Sequence, residues 1–340
     1  MMRRTVVFQA PGRVVTELDA VPEPAADELR VQVEVSAISA GTELLIYRGQ
    51  APPELPLDAC LPGLSGPLRF PLSYGYAAAG TVAAAGRQTD AAWVGRRVFA
   101  FRPHASHFLA TPSELVPIPE GITLRDAVFL ANMETALTLA LDGLPAVGEH
   151  VVVFGQGVVG LLAAGLLAGY PLASLFAVEP IARRREASLQ AGVHAVFDPA
   201  RPQELIDRLR DATDGGMADL VFELSGHPPA LNAAIAAAGF GARIVLGSWY
   251  GTRPVNVDLG GRFHRSRIRL IGSQVSTLPP PFLARWTKQR RYAAAWELIR
   301  RTAPSRLITH EFPVEAAGEA YAFLDQNPAQ ALQVLLTYRQ

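Results

Sequence analysis

Apolar and polar positions alternate in the first third of the chain. Leu29 to Ser36 sets Val31, Val33 and Val35 on one face and Gln32 and Glu34 on the other, the period of a half-buried strand. Ala78 to Ala85 and Arg97 to Ala100 continue the pattern between Gly and Pro turns. Gln50 to Pro71 holds six prolines and few polar anchors, and reads as a long loop of the kind that often serves function. After Pro119-Glu120-Gly121 the period changes, and Leu124 to Leu144 predicts a helix. Strands are then expected at His150–Phe154, Leu175–Val178, Ala195–Phe197, Leu220–Leu224, Ala242–Leu246 and Ile268–Ile271. Helices fall between them, from Val158 and at Ala182–Ala191, Pro202–Ala212 and Pro229–Ala238. Such alternation predicts an α/β domain with a doubly wound parallel sheet. From Pro279 the pattern returns to helix and ends in a strand at Leu332–Thr337.

Composition narrows the function classes. The 340 residues suit two domains, and 49% apolar with 18% charged residues describes a packed protein. Formal net charge is zero, with no basic stripe to suggest nucleic acid or a membrane surface as partner. The single cysteine, Cys60, excludes an intrachain disulfide and a four-cysteine metal module, and fits a cytoplasmic setting. The only lysine, Lys288, lies in the stretch Arg285 to Arg291, which reads as an exposed helix face rather than as a source of lysine chemistry. No apolar leader segment follows the amino terminus. Val151 to Val178 carries no charge and imitates a membrane span, but Gly155, Gly157, Gly160 and Pro171 interrupt it, so a buried strand–helix–strand unit is expected.

Within that unit Gly155-Gln156-Gly157-Val158-Val159-Gly160 is a Gly-x-Gly-x-x-Gly motif between a β-branched strand and an apolar helix. That context makes it a dinucleotide fingerprint. Gly155 makes the tight turn, Gly157 admits the diphosphate, and Gly160 lets helix and strand pack closely. The diphosphate is expected at the helix N-terminus, where unpaired N–H groups favour an anion. Glu179 closes the next strand, nineteen residues after Gly160, where a carboxylate accepts from ribose hydroxyls and repels a 2′-phosphate. NAD(H) is therefore expected ahead of NADP(H). Arg183, Arg184 and Arg185 follow, and either neutralise a phosphate or simply face water.

Three further segments, in order, resemble the medium-chain dehydrogenase/reductase superfamily: Ser39-Ala40-Gly41-Thr42-Glu43, Tyr74-Gly75-Tyr76-Ala77-Ala78-Ala79-Gly80, and Gly95-Arg96-Arg97-Val98-Phe99. With the glycine motif the resemblance spans essentially the whole chain. It is nearest the branch of 3-hydroxyethyl bacteriochlorophyllide a dehydrogenase and its relatives, from which the stretch Leu55–Leu72 and Ala77 depart. The resemblance implies a GroES-like β-barrel catalytic domain (residues 1–134 and 280–340) and a Rossmann domain (135–279), with the nicotinamide in a cleft between them. Thr138, Arg184, Gly247 and Ser248 then join the glycine loop and Glu179 as cofactor contacts. A homodimer or dimer-based oligomer is also implied, pairing through the strand at Ile268–Ile271.

The same resemblance places the superfamily's zinc ligands on Ala40, Tyr76 and Glu134, with Ala77 after Tyr76. A methyl group cannot bind zinc and tyrosine is a poor ligand, so no catalytic zinc is expected. His104 and His107 read as polar loop or active-site edge. Proton transfer then falls to Thr42, Tyr76 or Glu134. Thr42 occupies the superfamily's relay position. Tyr76, with an ordinary pKa near 10, is a phenol able to donate to a ketone. Glu134 is a carboxylate suited to act as a base if buried. Each has a plainer alternative: Thr42 as cap of a helix from Leu44, Tyr76 as core aromatic, Glu134 as partner of an arginine. Glu43 is expected to fix its loop. The sequence thus suggests a zinc-independent, NAD(H)-linked oxidoreductase acting on a small-molecule substrate that is a secondary alcohol or ketone. A zinc-free ene- or quinone-type reductase and a non-catalytic NAD(H)-binding protein are the competing readings.

Overall fold

The computed structural model describes residues 2–57, 64 and 66–338. Cys60 lies outside them. The chain divides into two compact units, Met1–Ala131 with Ile299–Gln340, and Asn132–Leu298. The division at Leu298 and Ile299 falls inside the helix Lys288–Thr302, whose buried Arg291 bonds to Glu134 of the second unit.

The second unit is built on a six-stranded parallel sheet in the order Ala195–Phe197, Ser174–Val178, His150–Phe154, Ala218–Glu223, Ala238–Leu246, Arg269–Gly272. Chain order runs outward from His150–Phe154 to one edge, then restarts beside it and runs to the other. This is the Rossmann order, and it opens a crevice beyond the carboxyl ends of the strands where the direction switches. Val151, Val152 and Val153 are fully buried, as a central parallel strand requires. The uncharged stretch after them is the helix Val158–Leu167 and the strand Ser174–Val178, both covered by the fold. Among the described residues no helix is long and apolar enough to cross a membrane.

The first unit is β-rich. Its seven-stranded sheet runs Ile308–Pro313, Gln333–Thr337, Leu29–Ile38, Ala78–Ala85, Arg97–Ala100, Leu115–Pro117, and His107–Ala110 pairs with Leu29–Ile38. In Leu29–Ile38 the residues Leu29, Val31 and Val33 are buried while Gln32 and Glu34 are partly exposed, so the alternation maps onto two faces. A hairpin of Met2–Ala10 and Arg13–Ala20 precedes this sheet. The helix expected over Leu124 to Leu144 is two helices, Leu124–Ala127 and Leu130–Gly143, and the break comes at Phe129, whose N–H turns to the Asp126 carbonyl. The segment Gln50 to Pro71 keeps little regular structure in its described part, where Leu57 N–H donates to the Gly66 carbonyl and Leu68 N–H to that of Leu55.

Candidate active and cofactor site

In the first unit the helix Ala40–Tyr47 begins at Ser39. Thr42 therefore lies inside the first turn and does not cap a helix from Leu44. Ser39 occupies the N-cap position, yet its hydroxyl makes no capping bond. It instead accepts a short hydrogen bond from the Tyr76 hydroxyl, and Thr42 Oγ1 lies 3.4 Å from the same phenol oxygen. Two aliphatic hydroxyls thus surround one half-buried phenol. Tyr74 meets the Tyr76 ring edge-on at 6.1 Å between centroids.

Beneath this cluster lies a buried polar network. Glu43 Oε1 accepts the Ser39 N–H at 2.7 Å. Its Oε2 accepts from Tyr321 and contacts His104 Nε2 at 3.0 Å. His104 Nδ1 is 2.7 Å from Ser36 Oγ, which is 2.8 Å from the Tyr338 hydroxyl. Glu43, His104, Ser36 and Tyr321 have no exposed surface. Burial and the neighbouring Glu43 carboxylate raise the Tyr321 phenol well above its ordinary pKa. His104 is therefore core, not loop edge. His107 is buried too, in the strand His107–Ala110 and 3.0 Å from Ser106 Oγ, and burial lowers its pKa.

Glu134, in the second unit, is held differently. Arg291 Nη2 donates to Glu134 Oε1 at 2.5 Å, and Nη1 donates to Thr138 Oγ1 at 3.1 Å and to the Thr277 carbonyl at 3.2 Å. Thr138 passes its own hydrogen to the Glu134 carbonyl at 2.9 Å. Burial pushes the Glu134 carboxyl up, and Arg291 opposes that shift. The arginine stretch expected to face water thus sends one member, Arg291, into the core at 1% exposure, while Lys288 stays exposed.

The glycine loop has the geometry that the motif demands. Gly155 has φ +88°, and a Cβ there would stand 2.6 Å from the Ser225 backbone. A Cβ on Gly160 would lie 2.0 Å from the Gly155 carbonyl oxygen. At Gly157 a Cβ would meet nothing within 4 Å, so this glycine keeps open a space beside the helix start. Gly157 is the N-cap and supplies no side chain to the first turn of Val158–Leu167. An open cradle over uncapped N–H groups fits a dinucleotide diphosphate. Gln156 is buried below, its carbonyl oxygen accepting from Ser188 at 3.0 Å.

Glu179 adds an element that the motif does not contain. Its Oε2 accepts the Gln156 N–H at 2.7 Å and its Oε1 the Ile181 N–H at 3.1 Å. The carboxylate therefore ties the glycine loop to the end of the next strand and retains further acceptor capacity on each oxygen. Burial lowers the Arg184 pKa, against the attraction of Glu179. Arg185 instead donates to the Glu179 and Pro180 carbonyls and pairs with Asp198. A Cβ on Gly247 would fall 2.6 Å from both Leu139 and Leu224, and Ser248 Oγ accepts the Gly226 N–H at 2.8 Å. These last two positions shape the strand ends through packing and a turn.

The positions expected to hold zinc ligands carry Ala40, Tyr76 and Glu134, and Glu134 is already bound to a guanidinium. Among the described residues no three His, Cys, Asp or Glu side chains gather where they could hold a metal ion. Sequence reasoning quoted Ser39 but gave it no role, since an N-cap serine ordinarily serves its own helix. It placed Arg291 on an exposed helix face and did not single it out as the arginine that pairs with Glu134.

Residues 158–299 match the zinc-binding dehydrogenase family. The 2-desacetyl-2-hydroxyethyl bacteriochlorophyllide A dehydrogenase of Cereibacter sphaeroides is 30% identical over 358 residues, covering 99% of both chains. The D-guloside 3-dehydrogenase of Escherichia coli is 25% identical over 228 residues, spanning 66% of this chain and 65% of that protein. A solved structure, the rspB alcohol dehydrogenase of Escherichia coli complexed with NADH, shares the fold with a TM-score of 0.80 at 19% identity over 99% of each chain.

Proposed function

Because the chain belongs to the medium-chain dehydrogenase/reductase superfamily, we propose that it is a zinc-independent, NAD(H)-linked oxidoreductase that interconverts a secondary alcohol and a ketone. The observation that carries this reading is the Tyr76 phenol bonded to Ser39 with Thr42 beside it, where the superfamily places a metal ligand. NADH, when bound, supplies the hydride for the carbonyl carbon. Gly155, Gly157 and Gly160 with the first turn of Val158–Leu167 would hold its diphosphate, and Glu179 would accept from its adenosine ribose.

In reduction, Tyr76 gives its proton to the substrate oxygen. The Ser39 and Thr42 hydroxyls then rotate to donate to the phenolate left behind, a preorganised response to developing charge. In oxidation the same phenolate takes the alcohol proton. Glu134 is a poor candidate for this step, since Arg291 holds its carboxylate as an ion pair. We also propose a dimer paired through the edge strand Arg269–Gly272, where Leu270 is 38% exposed; a strictly monomeric species by light scattering at micromolar concentration counts against it.

The test of function follows NADH consumption with a panel of ketones, enones and quinones, and NADH formation from NAD+ with secondary alcohols, with elemental analysis alongside. Turnover of a ketone that persists after chelation is expected. About one zinc per chain, lost together with activity on chelation, overturns the reading. Tight NADH binding without turnover of any panel member favours a sensor or structural role, and turnover of enones or quinones alone favours a double-bond reductase.

A further inference from the structure

The segments that carry Tyr76 and its hydroxyl partners come from different parts of the chain, and one buried imidazole touches both. His104 donates its backbone N–H to the Tyr74 carbonyl at 3.2 Å. Its ring lies directly against Gly75: a Cβ there would stand 2.6 Å from His104 Cδ2 and 2.7 Å from Nε2. On the other side Nε2 meets Glu43 Oε2 at 3.0 Å, and Glu43 Oε1 holds the Ser39 N–H at 2.7 Å. Gly75 with φ +124° precedes Tyr76, and Ser39 opens the helix that carries Thr42. The ring therefore spaces the backbone under the phenol from the backbone under the two hydroxyls.

Nothing about folding alone asks for a histidine here. A fully buried imidazole and carboxylate cost free energy unless every polar atom is satisfied, and an aliphatic side chain would fill the same core. Every polar atom here is satisfied. Nε2 carries a proton toward Glu43, and Nδ1 bonds Ser36 Oγ at 2.7 Å, which Tyr338 backs. A chain of directional bonds fixes the ring's position and orientation, which apolar packing does not do.

We propose that His104 is the positioning residue of this site: acting through Glu43 and Gly75, it sets the Tyr76 hydroxyl against Ser39 and Thr42. The proposal rests on Tyr76 as proton donor for its kinetic consequence, though not for its geometry. A shift of about 1 Å at a reacting group costs on the order of a hundredfold in rate.

The experiment joins fluorine NMR of fluorotyrosine-labelled protein to kinetics with the fastest ketone of the panel. The Tyr76 signal, one of eight tyrosines, is assigned by its loss in Tyr76→Phe. In His104→Leu that signal moves and turnover falls about a hundredfold, while NADH affinity is unchanged. In His104→Gln, whose amide reaches Glu43, signal and turnover return most of the way. Adding Tyr76→Phe to His104→Leu costs no further rate than Tyr76→Phe alone, the signature of two residues acting through one group. An unmoved signal in His104→Leu, or losses that multiply, overturns the proposal. Should His104→Leu fail to fold, Ser36→Ala frees Nδ1 without touching Glu43, and an unmoved Tyr76 signal there overturns it equally. The two readings fail separately. A moved signal with a fully active Tyr76→Phe removes the proton-donor role and leaves the positioning intact. An inactive Tyr76→Phe with a silent His104→Leu removes the positioning and leaves the proton donor.

Discussion

Glu43 and Glu134 are both buried carboxylates, one in each unit, and they are neutralised in opposite ways. Glu43 is surrounded by three groups from different segments: a backbone N–H, a phenol and an imidazole. Glu134 faces a guanidinium. A carboxylate that accepts from several segments holds those segments in register. A carboxylate paired with one cation ties two helices, Leu130–Gly143 and Lys288–Thr302. Glu134, read in sequence as a possible base, is paired with Arg291, while Glu43, expected to fix its loop, joins Ser39 to Tyr321 and His104.

The strongest way to break this contrast is Arg291→Leu. It leaves Glu134 buried without its cation, and a broken buried pair costs about 3–5 kcal/mol. The double replacement Arg291→Leu with Glu134→Leu should recover most of that loss, as read by urea denaturation. The pH dependence has a definite sign. Burial already raises the folded-state pKa of Glu134, and removing Arg291 raises it further. The folded state then binds the proton more tightly than the unfolded chain, so stability is full below the ordinary carboxylate value of about 4.3 and falls as pH rises through the raised one. The penalty of Arg291→Leu should be smaller near pH 4 than near pH 8. A variant equally destabilised at both would place the arginine's contribution in packing instead.

Next in size is Tyr76→Phe, which removes one hydroxyl and keeps the ring. Loss of a preorganised donor costs roughly a hundredfold to a thousandfold in turnover, about 2.7–4 kcal/mol. NADH affinity and melting temperature should hardly change. Thr42→Val, acting on the longer 3.4 Å contact, should cost less. If Glu134→Gln proves the more damaging variant in turnover while keeping its fold, the contrast between the two acids is reversed.

The smallest effect sharpens the comparison with a third acid. Glu179 is held by two backbone N–H groups, at Gln156 and Ile181, with Arg184 as a nearby cation. Glu179→Ala should shift the ratio of NADPH to NADH affinity by about tenfold, or 1.4 kcal/mol, and weaken both cofactors because the glycine loop loses its tether. Fluorescence titration with each cofactor measures it. A parent protein that already binds NADPH more tightly than NADH removes Glu179 as the selector.

The sequence by itself determined what depends on neighbours along the chain. The strands Ala78–Ala85, Arg97–Ala100 and His150–Phe154 stand where alternation and β-branched runs place them. The positive φ of Gly155 and the approach of Gly160 to the Gly155 carbonyl belong to one turn and follow from the motif, whereas the approach of Gly155 to Ser225 is made by the fold. Tertiary structure alone decided the partners of the reactive groups. Ser36 meets Tyr338 across 302 positions, Glu43 meets Tyr321 across 278, and Glu134 meets Arg291 across 157. No periodicity announces such pairs, because a side chain sees only whichever group the fold brings within about 3 Å. A serine at a helix start and an arginine in a basic run each look like a local or solvated residue. The direction in which the backbone turned them, toward Tyr76 and into the core beside Glu134, was set by packing from the far ends of the chain.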